Sequence, residues 1–326
     1  MGALVVVGDG PDVLNICSGG FLFDAAFSPQ RLSELAKMDG AIILAADASR
    51  IARANVHLVP DPATPTSETG TRHRTAERVA RSIDVPVVSV SEDMGVIATY
   101  VGGVKHVLQE IPRLLNRADQ ALQTLQRYKS RLDEVSATLS SLEVGDHVTV
   151  RDVASVLQRN EMVRRIAEEI DGYIVELGVD GRLIRLQLDE LMGDVEDDRY
   201  AVVHDYLCTD PGVSRDLEHA VHDLSGLGTD ELLDLRKVTE VLCLPSGSRD
   251  LDRGLTPRGY RLLARVPRLP ANVIDRIVEH FGSLPKIMRA SIDDLDLVDG
   301  VGEARAVAIK EGLNRLSEPA LLDRYS

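Results

Sequence analysis

The chain has 326 residues, a length that favours two or three domains rather than one. Its 52 acidic residues outnumber 37 lysines and arginines, and the formal charge of −15 argues against a protein that coats nucleic acid or an anionic membrane. Trp is absent and aromatic residues make up only 3%, which disfavours a single-strand binder that stacks bases on aromatic rings.

The first region, residues 1–115, alternates short Val- and Ile-rich runs with segments of helical spacing. The runs are bounded by Gly, Pro or Asp, as β-strands usually are. This pattern predicts an α/β domain with a mixed sheet flanked by helices. The predicted strands cover residues 4–7, 41–46, 56–59, 85–90 and 96–101, and the predicted helices cover residues 29–38 and 75–82.

Three potential cations stand side by side in the stretch SETGTRHRTAER of this region. Gly70 permits a tight bend and Thr75 is placed to cap the helix that follows. Arg72, His73 and Arg74 would then stand beside free helix amides, which suits a polyanion such as a triphosphate. Between two arginines, His73 should resist protonation and act as a neutral hydrogen-bond donor. An isolated cluster of this kind is more often ordinary surface charge, and the chain has no Walker loop.

Two further pieces favour a nucleotide site. Asp39 and Gly40 open the apolar run AIIL, and a carboxylate there could hold a divalent metal near phosphates or take a proton from an attacking hydroxyl. Alone, an Asp-Gly step usually marks only a turn. In the stretch ANVHLVPD, the backbone at Leu58 could contact an adenine edge, whereas His57 is better explained as a structural residue.

The middle region, residues 116–256, is predicted to be mainly helical. Apolar residues recur every three or four positions from residue 112 to residue 142, which predicts a helix of roughly 45 Å that acts as a spacer or an assembly surface. The Asp180-Gly181 step between apolar runs predicts a β-hairpin. Further helices are expected at residues 150–170, 214–224 and 230–241, and a polar linker at residues 245–254.

The last region, residues 257–326, is predicted to be an all-α domain. The segment VDGVG at residues 298–302 separates two helical stretches, and its glycines allow a tight turn and close approach to a ligand. This is the pattern of a helix-hairpin-helix, which binds DNA phosphates without reading sequence. The alternative is a tight turn that only packs or docks onto protein. The candidate DNA contacts are Gly300, Val301, Gly302, Glu303, Ala304 and Arg305.

The cysteines and the N-terminal apolar run indicate the compartment. The three cysteines are far apart and form no C-x-x-C pair, so neither a disulfide framework nor a zinc site is predicted. The apolar run at residues 4–7 is too short for a signal-peptide core or a membrane span. We therefore expect a cytoplasmic protein with no membrane contact.

Taken together, DGA, ANVHLVPD, ETGTRHRTAER and the C-terminal VDGVGEARA resemble the bacterial DNA integrity scanning (DisA) family of diadenylate cyclases. The resemblance covers essentially the whole chain. It implies that two ATP condense to cyclic di-AMP with release of two pyrophosphates, across two cyclase domains that meet face to face. It also implies Mg²⁺ or Mn²⁺, an assembly of eight subunits, a role in DNA damage, association with the nucleoid, and regulation by branched DNA bound at the C-terminal hairpin.

The resemblance also assigns roles to residues of this chain. Asp39 is implied to hold the metal and activate the hydroxyl, and Gly40 to lie against the nucleotide. Leu58 is implied to contact adenine through its backbone. The implied catalytic residues are Asp39, Arg72, His73 and Arg74, and the implied ATP contacts are Gly40, Leu58, Thr71, Arg72, His73, Arg74, Thr75 and Ser91.

Three features depart from the family pattern. The acidic sequence SEDMG follows the β-type run at the position of Ser91, where many relatives carry basic residues, so one phosphate contact is expected to be lost or supplied otherwise. Relatives usually have a helical segment upstream of the first strand. The predicted hairpin at Asp180-Gly181 conflicts with the helical middle region of the family. The first two of these features motivate an alternative function, a scaffold that binds DNA junctions and carries a weakly active or inactive nucleotide domain.

Overall fold

The computed structural model describes residues 2–92, 95–208, 216–244, 247 and 250–322. The chain divides into two compact units, Met1–Arg113 and Leu114–Ser326. The domain boundaries predicted at residues 115/116 and 256/257 stay predictions.

The N-terminal unit is built on a mixed sheet, as predicted. The strands are β1 (Ala3–Val7), β2 (Cys17–Ser18), β3 (Phe21–Ala26), β4 (Ala41–Leu44), β5 (Arg50–Leu58), β6 (Val87–Ser91), β7 (Val96–Val101) and β8 (Val104–Val107). β1 and β4 pair in parallel, and the other pairings between these strands are antiparallel. The order of the strands is β2-β5-β4-β1-β6-β7-β8, and β3 also pairs with β5.

Helices cover both faces of this sheet because its central strands are apolar on both sides. Side chains alternate between the faces of a strand, so neighbours in β1 enter different cores. Val6 lies in a core with Ala76 and Val79 of one helix, whereas Val5 lies in a core with Leu32 of another. The helices of this unit are α1 (Pro11–Asn15), α2 (Pro29–Leu35) and α3 (Thr71–Ile83).

Helix α3 begins four residues earlier than the sequence predicted. The amide of Arg74 donates to the carbonyl of Gly70 at 2.8 Å, which closes the first turn, and Gly70 is the N-cap. Thr75 lies inside the helix, where its hydroxyl donates to the carbonyl of Thr71 at 2.9 Å. The predicted capping role of Thr75 is therefore wrong, and the whole GTRHRT motif forms the cap and first turns of α3.

From Ile111 onward the described chain is built almost entirely from helices, which confirms the helical middle region. The predicted helix at residues 214–224 falls partly outside the described residues. The helices are α4 (Ile111–Gly145), α5 (Val150–Leu177), α6 (Arg182–Met192), α7 (Val195–Tyr206), α8 (Leu217–Gly226), α9 (Thr229–Leu233), α10 (Leu235–Val241), α11 (Tyr260–Ala264), α12 (Ala271–Phe281), α13 (Leu284–Arg289), α14 (Ile292–Asp296) and α15 (Glu303–Leu322).

The hairpin predicted at Asp180-Gly181 is wrong. These residues belong to a 3₁₀ turn, Gly178–Gly181, that joins α5 to α6. Leu177, Ile184 and Leu188 are buried in the same core at helical spacing, so the apolar runs on either side of the step are helix faces rather than strands.

The C-terminal helices contain a structural repeat. The number of residues from the start of α11 to the start of α14 equals the number from the start of α12 to the start of α15. The pair α11–α12 is therefore repeated in sequence by the pair α14–α15. The turn between α11 and α12 has Arg268 in the left-handed conformation, and the turn between α14 and α15 has Gly300 there at the equivalent position, together with Gly302. Val266 and Val298 occupy equivalent buried positions before these turns. Two similar helix-turn-helix elements therefore pack around one core.

Candidate functional site

Several segment ends converge on one edge of the sheet in the N-terminal unit. Since β1 and β4 are parallel, their first residues lie at the same edge, and β6 brings its last residues there because it runs antiparallel to β1. The register pairs Ala3 with Val90, next to Ser91. A Cβ on Gly2 would collide with the Nη1 atom of Arg72, so the start of α3 lies there as well.

An ion pair joins the DGA and RHR motifs at this edge. Nη2 of Arg72 donates to Oδ1 of Asp39 at 2.8 Å. The Asp39 side chain is 94% exposed and that of Arg72 is 46% exposed, so both groups face solvent and are open to a ligand. The structure thus brings a carboxylate and a guanidinium from distant parts of the sequence to one place.

Gly40 lies so close to the backbone of Asn55 that no residue with a side chain would fit at this position. A Cβ at this position would lie 2.5 Å from the backbone carbonyl carbon of Asn55, which itself has a left-handed φ of 55°. The pairing of Ala41 with Val56 places the start of β4 beside the end of β5, where Leu58 lies. Asp39, Gly40 and Leu58 therefore meet at one site.

His73 is oriented differently from its two neighbours. It is only 4% exposed, and its Nδ1 lies 3.0 Å from the hydroxyl oxygen of Tyr100. Burial lowers the pKa of His73, against the opposing effect of the nearby Glu68 carboxylate, so the imidazole is neutral as predicted. Successive side chains on a helix differ by about 100°, so an inward His73 leaves Arg72 and Arg74 directed outward.

The remaining predicted contacts lie around the start of α3 and the end of β6. Thr71 is the first residue of α3 and is exposed, and Thr75 is half-buried one turn further on. Arg74 is exposed and donates through Nη2 to the carbonyl of Thr69 at 3.1 Å. Ser91 is the last residue of β6. Of the acidic segment after it, Asp93 and Met94 lie outside the described residues.

Sequence reasoning missed a buried carboxylate beneath the motif. Glu77 of α3 is 4% exposed and accepts hydrogen bonds from the hydroxyl of Thr66 at 2.5 Å and the amide of Ser67 at 2.9 Å. It also pairs with Arg81 at 2.7 Å. Glu77 therefore holds the loop that leads into the GTRHRT motif in place. Its position one turn after His73, on the helix face that also carries Ala76 and Val79, was the available signal.

The residues at this edge fit a metal held mainly by substrate. Among the described residues, no group of three His, Cys, Asp or Glu side chains could enclose a metal ion. Mg²⁺ usually keeps several waters and is bound through one or two carboxylates together with substrate phosphates. The exposed Asp39 carboxylate matches that requirement.

The C-terminal VDGVG segment forms a tight turn between α14 and α15. Gly300 and Gly302 have φ values of 88° and 45°, and Val301 between them is fully buried. α15 begins at Glu303, and the exposed residues at its start include Ala304 and Arg305. The buried Val301 anchors the turn while the glycines and the first turn of α15 face solvent.

Fold and site define a nucleotide-binding α/β domain joined to a helical region, and the comparisons agree. A family described as "DisA bacterial checkpoint controller nucleotide-binding" matches residues 1–105, and "DisA bacterial checkpoint controller linker region" matches residues 108–251. The chain belongs to the DisA family and is a diadenylate cyclase.

Curated relatives match over nearly the entire chain, and each is named DNA integrity scanning protein DisA. The protein of Acidothermus cellulolyticus is 57% identical over 325 residues, which cover 99% of this chain and 88% of the relative. That of Frankia alni is 56% identical, with 99% and 90% covered, and that of Streptomyces coelicolor is 55% identical, with 99% and 87% covered. None of the helices in the described ranges is long and apolar enough to cross a membrane.

Proposed function

We propose that two copies of the N-terminal unit meet face to face and condense two ATP into cyclic di-AMP and two pyrophosphates. The observation that carries this proposal is the Asp39–Arg72 pair, which joins the DGA and RHR motifs at one exposed edge. Each 3′-hydroxyl attacks the α-phosphate of the opposite nucleotide, and one pyrophosphate leaves for each bond formed. Because the site is open to solvent, a second unit is needed to exclude water and supply the other nucleotide.

The residues at this edge would share the work of phosphoryl transfer. Asp39 would hold Mg²⁺ or Mn²⁺ and favour deprotonation of the attacking hydroxyl. Arg72, Arg74 and the free amides of Thr71 and its neighbours would stabilise the charge on the phosphates. When ATP and metal bind, the contact between Arg72 and Asp39 would be replaced by contacts to the ligand.

Cyclic di-AMP formation is the direct test. Purified protein is incubated with ATP and either Mg²⁺ or Mn²⁺, and the products are separated by chromatography. Production of cyclic di-AMP supports the proposal. ATP binding without conversion by a folded oligomer contradicts it and favours the alternative, a DNA-binding scaffold with an inactive nucleotide domain.

Mixed assemblies test the face-to-face arrangement. If each unit contributes one of the two phosphodiester bonds, a pair of one wild-type and one Asp39→Asn unit forms one bond and releases a linear dinucleotide with its triphosphate intact. Co-expression of tagged wild-type chains with a large excess of Asp39→Asn chains, followed by purification through the wild-type tag, leaves most wild-type units paired with a variant unit. Cyclic product at the full rate from the mixed pair would contradict the paired mechanism.

We further propose that the C-terminal unit binds branched DNA and that this binding lowers cyclase activity in an octamer. The exposed turn at Gly300 and Gly302 before a long helix supports phosphate binding, and the similar turn at Arg268 would offer a second contact. Fluorescence anisotropy with a four-way junction and with a duplex of equal length measures the preference of the protein for branched DNA. The salt dependence of the Kd measures how much of the affinity comes from phosphate contacts. Light scattering measures the number of 35.6 kDa chains in the assembly.

A further inference from the structure

Strand β5 carries one residue in a conformation that strands rarely adopt. Asn55 has a φ of 55°, in the left-handed region, although the residues on both sides of it belong to the same strand. Gly enters this region freely, and among the other residues Asn and Asp tolerate it best, because their short polar side chains can bond locally. The conformation of Asn55 therefore has to be held by its surroundings.

The pairing between β4 and β5 shifts by one residue at this point. Ala41 pairs with Val56, whereas two residues further along β4 the pair is Ile43 with Arg53. Between these two pairs β4 has one residue and β5 has two, which makes a β-bulge in β5. Asn55 is one of those two residues. In one class of bulge the first residue is left-handed, so the conformation of Asn55 accounts for the shift.

Glycines on both sides make room for the bulge. A Cβ on Gly40, just before β4, would lie 2.6 Å from the Cα of Asn55, and a Cβ on Gly20, just before β3, would lie 2.9 Å from the carbonyl oxygen of Asn55. Gly20 itself has a φ of 77°. β2 and the start of β3 share one register with β5, so Gly20 stands opposite Asn55. Both neighbouring segments are thus adapted to the backbone of this residue.

The bulge decides which residues of the DGA and ANVHLVPD motifs face each other. The register on the near side of the bulge, extended to Asp39, sets this residue opposite Leu58. The register on the far side, extended in the same way, would set Asp39 opposite His57. A slip of one residue also turns side chains to the other face of a sheet, and indeed Leu58 is buried whereas His57 is exposed. The bulge is therefore what brings Asp39 and Leu58 together.

We propose that Asn55 is a positioning residue of the cyclase, whose left-handed conformation maintains the bulge that sets Asp39 beside Leu58. The consequence for catalysis rests on the proposed function, in which Asp39 holds the metal and Leu58 contacts adenine. The bulge itself does not, because it follows from contacts within the N-terminal unit alone. Since the two groups act on one nucleotide, a slip between their strands would misalign the reacting atoms.

Substitutions of Asn55 in the full-length protein separate its conformation from its side chain. Asn55→Gly removes the side chain but adopts the left-handed conformation readily, whereas a β-branched residue, as in Asn55→Val, strongly disfavours it. We expect Asn55→Gly to keep at least about a third of the wild-type kcat for cyclic di-AMP formation, and Asn55→Val to lose about tenfold or more. Rescue by Gly would not occur if Asn55 acted only through the packing of its side chain.

Ala48→Val is the matched control. Ala48 has the same φ of 55° and lies in the turn that joins the other ends of β4 and β5. The substitution introduces the same β-branched residue into the same backbone conformation, away from Asp39. It should lower the melting temperature as Asn55→Val does, but it should leave kcat within about twofold of the wild type.

Ligand binding supplies a second readout. α3, which carries the proposed phosphate contacts, packs against β1, β6 and β7, so a slip between β4 and β5 should leave these contacts in place. In Asn55→Val the Kd for ATP should rise about fivefold or more, while the Kd for inorganic triphosphate, which lacks the adenosine, should stay within about twofold. Calorimetric titration without divalent metal measures both values in the absence of turnover. A general loss of folding would weaken the two ligands together.

Wild-type kcat in a folded Asn55→Val protein would overturn the positioning role, and so would an equal loss of kcat in Asn55→Gly or in Ala48→Val. If Asn55→Val does not fold, Asn55→Ala takes its place, because Ala is less strongly disfavoured in the left-handed region. A fully active Asp39→Asn protein would instead remove the proposed role of Asp39. The comparison of Gly with Val at position 55 would then still decide whether the cyclase requires the left-handed conformation.

Discussion

Arg72 and Asp39 are 33 positions apart in sequence, and their side chains form a 2.8 Å ion pair at the exposed edge of the sheet. In the absence of ligand, each side chain satisfies the other. In the proposed function, a nucleotide triphosphate with its metal would present both partners at once, anionic oxygens for Arg72 and a cation for Asp39. Exchange of partners would then cost little, because each group would trade one charged partner for another.

Replacing Asp39 by Asn should abolish turnover. The amide binds Mg²⁺ poorly and cannot favour deprotonation of the attacking hydroxyl, so we expect cyclic di-AMP formation to fall by about 10³-fold or more. Because the Asp39 side chain is almost fully exposed, stability should stay within about 0.5 kcal/mol. Asp47→Asn, an exposed carboxylate of a turn in the same unit, is the control and should retain activity. A fully active Asp39→Asn protein would remove Asp39 from the mechanism.

Gly40→Ala should damage the site through the backbone. The new Cβ would meet the Asn55 backbone at 2.5 Å, so β4 and β5 must separate at the start of β4. We expect a loss of about 1 to 3 kcal/mol of stability and a larger relative loss of activity, since Asp39 and Leu58 shift with these strands. Gly10→Ala is the control, because Gly10 has an ordinary φ of −66° and open space around it. Equal melting temperatures and rates for the two variants would contradict this account.

Sequence patterns predict most clearly the strands that are buried on both faces of the sheet. β1 and β4 are uniformly apolar because helices cover both faces, so composition alone identifies them. β3 was missed because Phe21, Leu22 and Phe23 are exposed and Asp24 interrupts the strand with a left-handed φ of 45°. Most of the length of β5 was missed because polar Arg50, Arg53 and Asn55 interrupt its apolar pattern.

Sequence patterns also fail to predict the orientation of single residues in the candidate site. The sequence predicts that His73 is neutral, but it does not show that His73 points away from its neighbours, and all three residues of the RHR motif are expected to contact phosphate. Their separation into an inward His73 and outward arginines depends on Tyr100, 27 positions later, and on the packing of α3 against β7. Local patterns identify the motif, whereas tertiary contacts decide what each member does.

Arg261→Met should strongly destabilise the C-terminal unit. The Arg261 guanidinium is fully buried and pairs with Glu143 at 2.8 Å and Asp198 at 3.0 Å. Removing the cation leaves a buried Glu143 without its partner, which typically costs about 3 to 5 kcal/mol. Arg265→Ala is the matched control, since Arg265 pairs with the same Asp198 but is 36% exposed, and it should cost under about 1 kcal/mol. Urea unfolding followed by circular dichroism compares them, and similar losses would refute the assigned difference.

The same cluster predicts a pH dependence. Burial raises the pKa of Glu143 to about 7, although Arg261 opposes the shift. In the unfolded chain this carboxyl has an ordinary pKa near 4.5, so between about pH 4.5 and 7 the folded state binds more protons. Its contribution to stability is complete below pH 4.5 and is lost as pH rises through 7.

The measurement is urea unfolding of wild type and Glu143→Gln at several pH values between 5 and 8. We expect the difference in unfolding free energy between the two proteins to change by about 1 to 3 kcal/mol over this range, in favour of the neutral Gln at the higher pH. Other titrating groups are common to both proteins and cancel. A constant difference across the range would show that Glu143 does not titrate there.

Gly302→Ala tests the C-terminal turn as a DNA contact. Gly302 is exposed, has a φ of 45° and has no atom within 4 Å of the point that a Cβ would occupy, so an added methyl would project into the space that a phosphate would fill. We expect the Kd for a four-way junction to rise about tenfold. Gly282→Ala is the control, because Gly282 at the end of α12 has a φ of 74° and equally open space, so both variants bear a similar left-handed strain of about 1 to 2 kcal/mol. Equal junction affinities of the two variants, measured by anisotropy at the same salt, would show that the turn does not contact DNA.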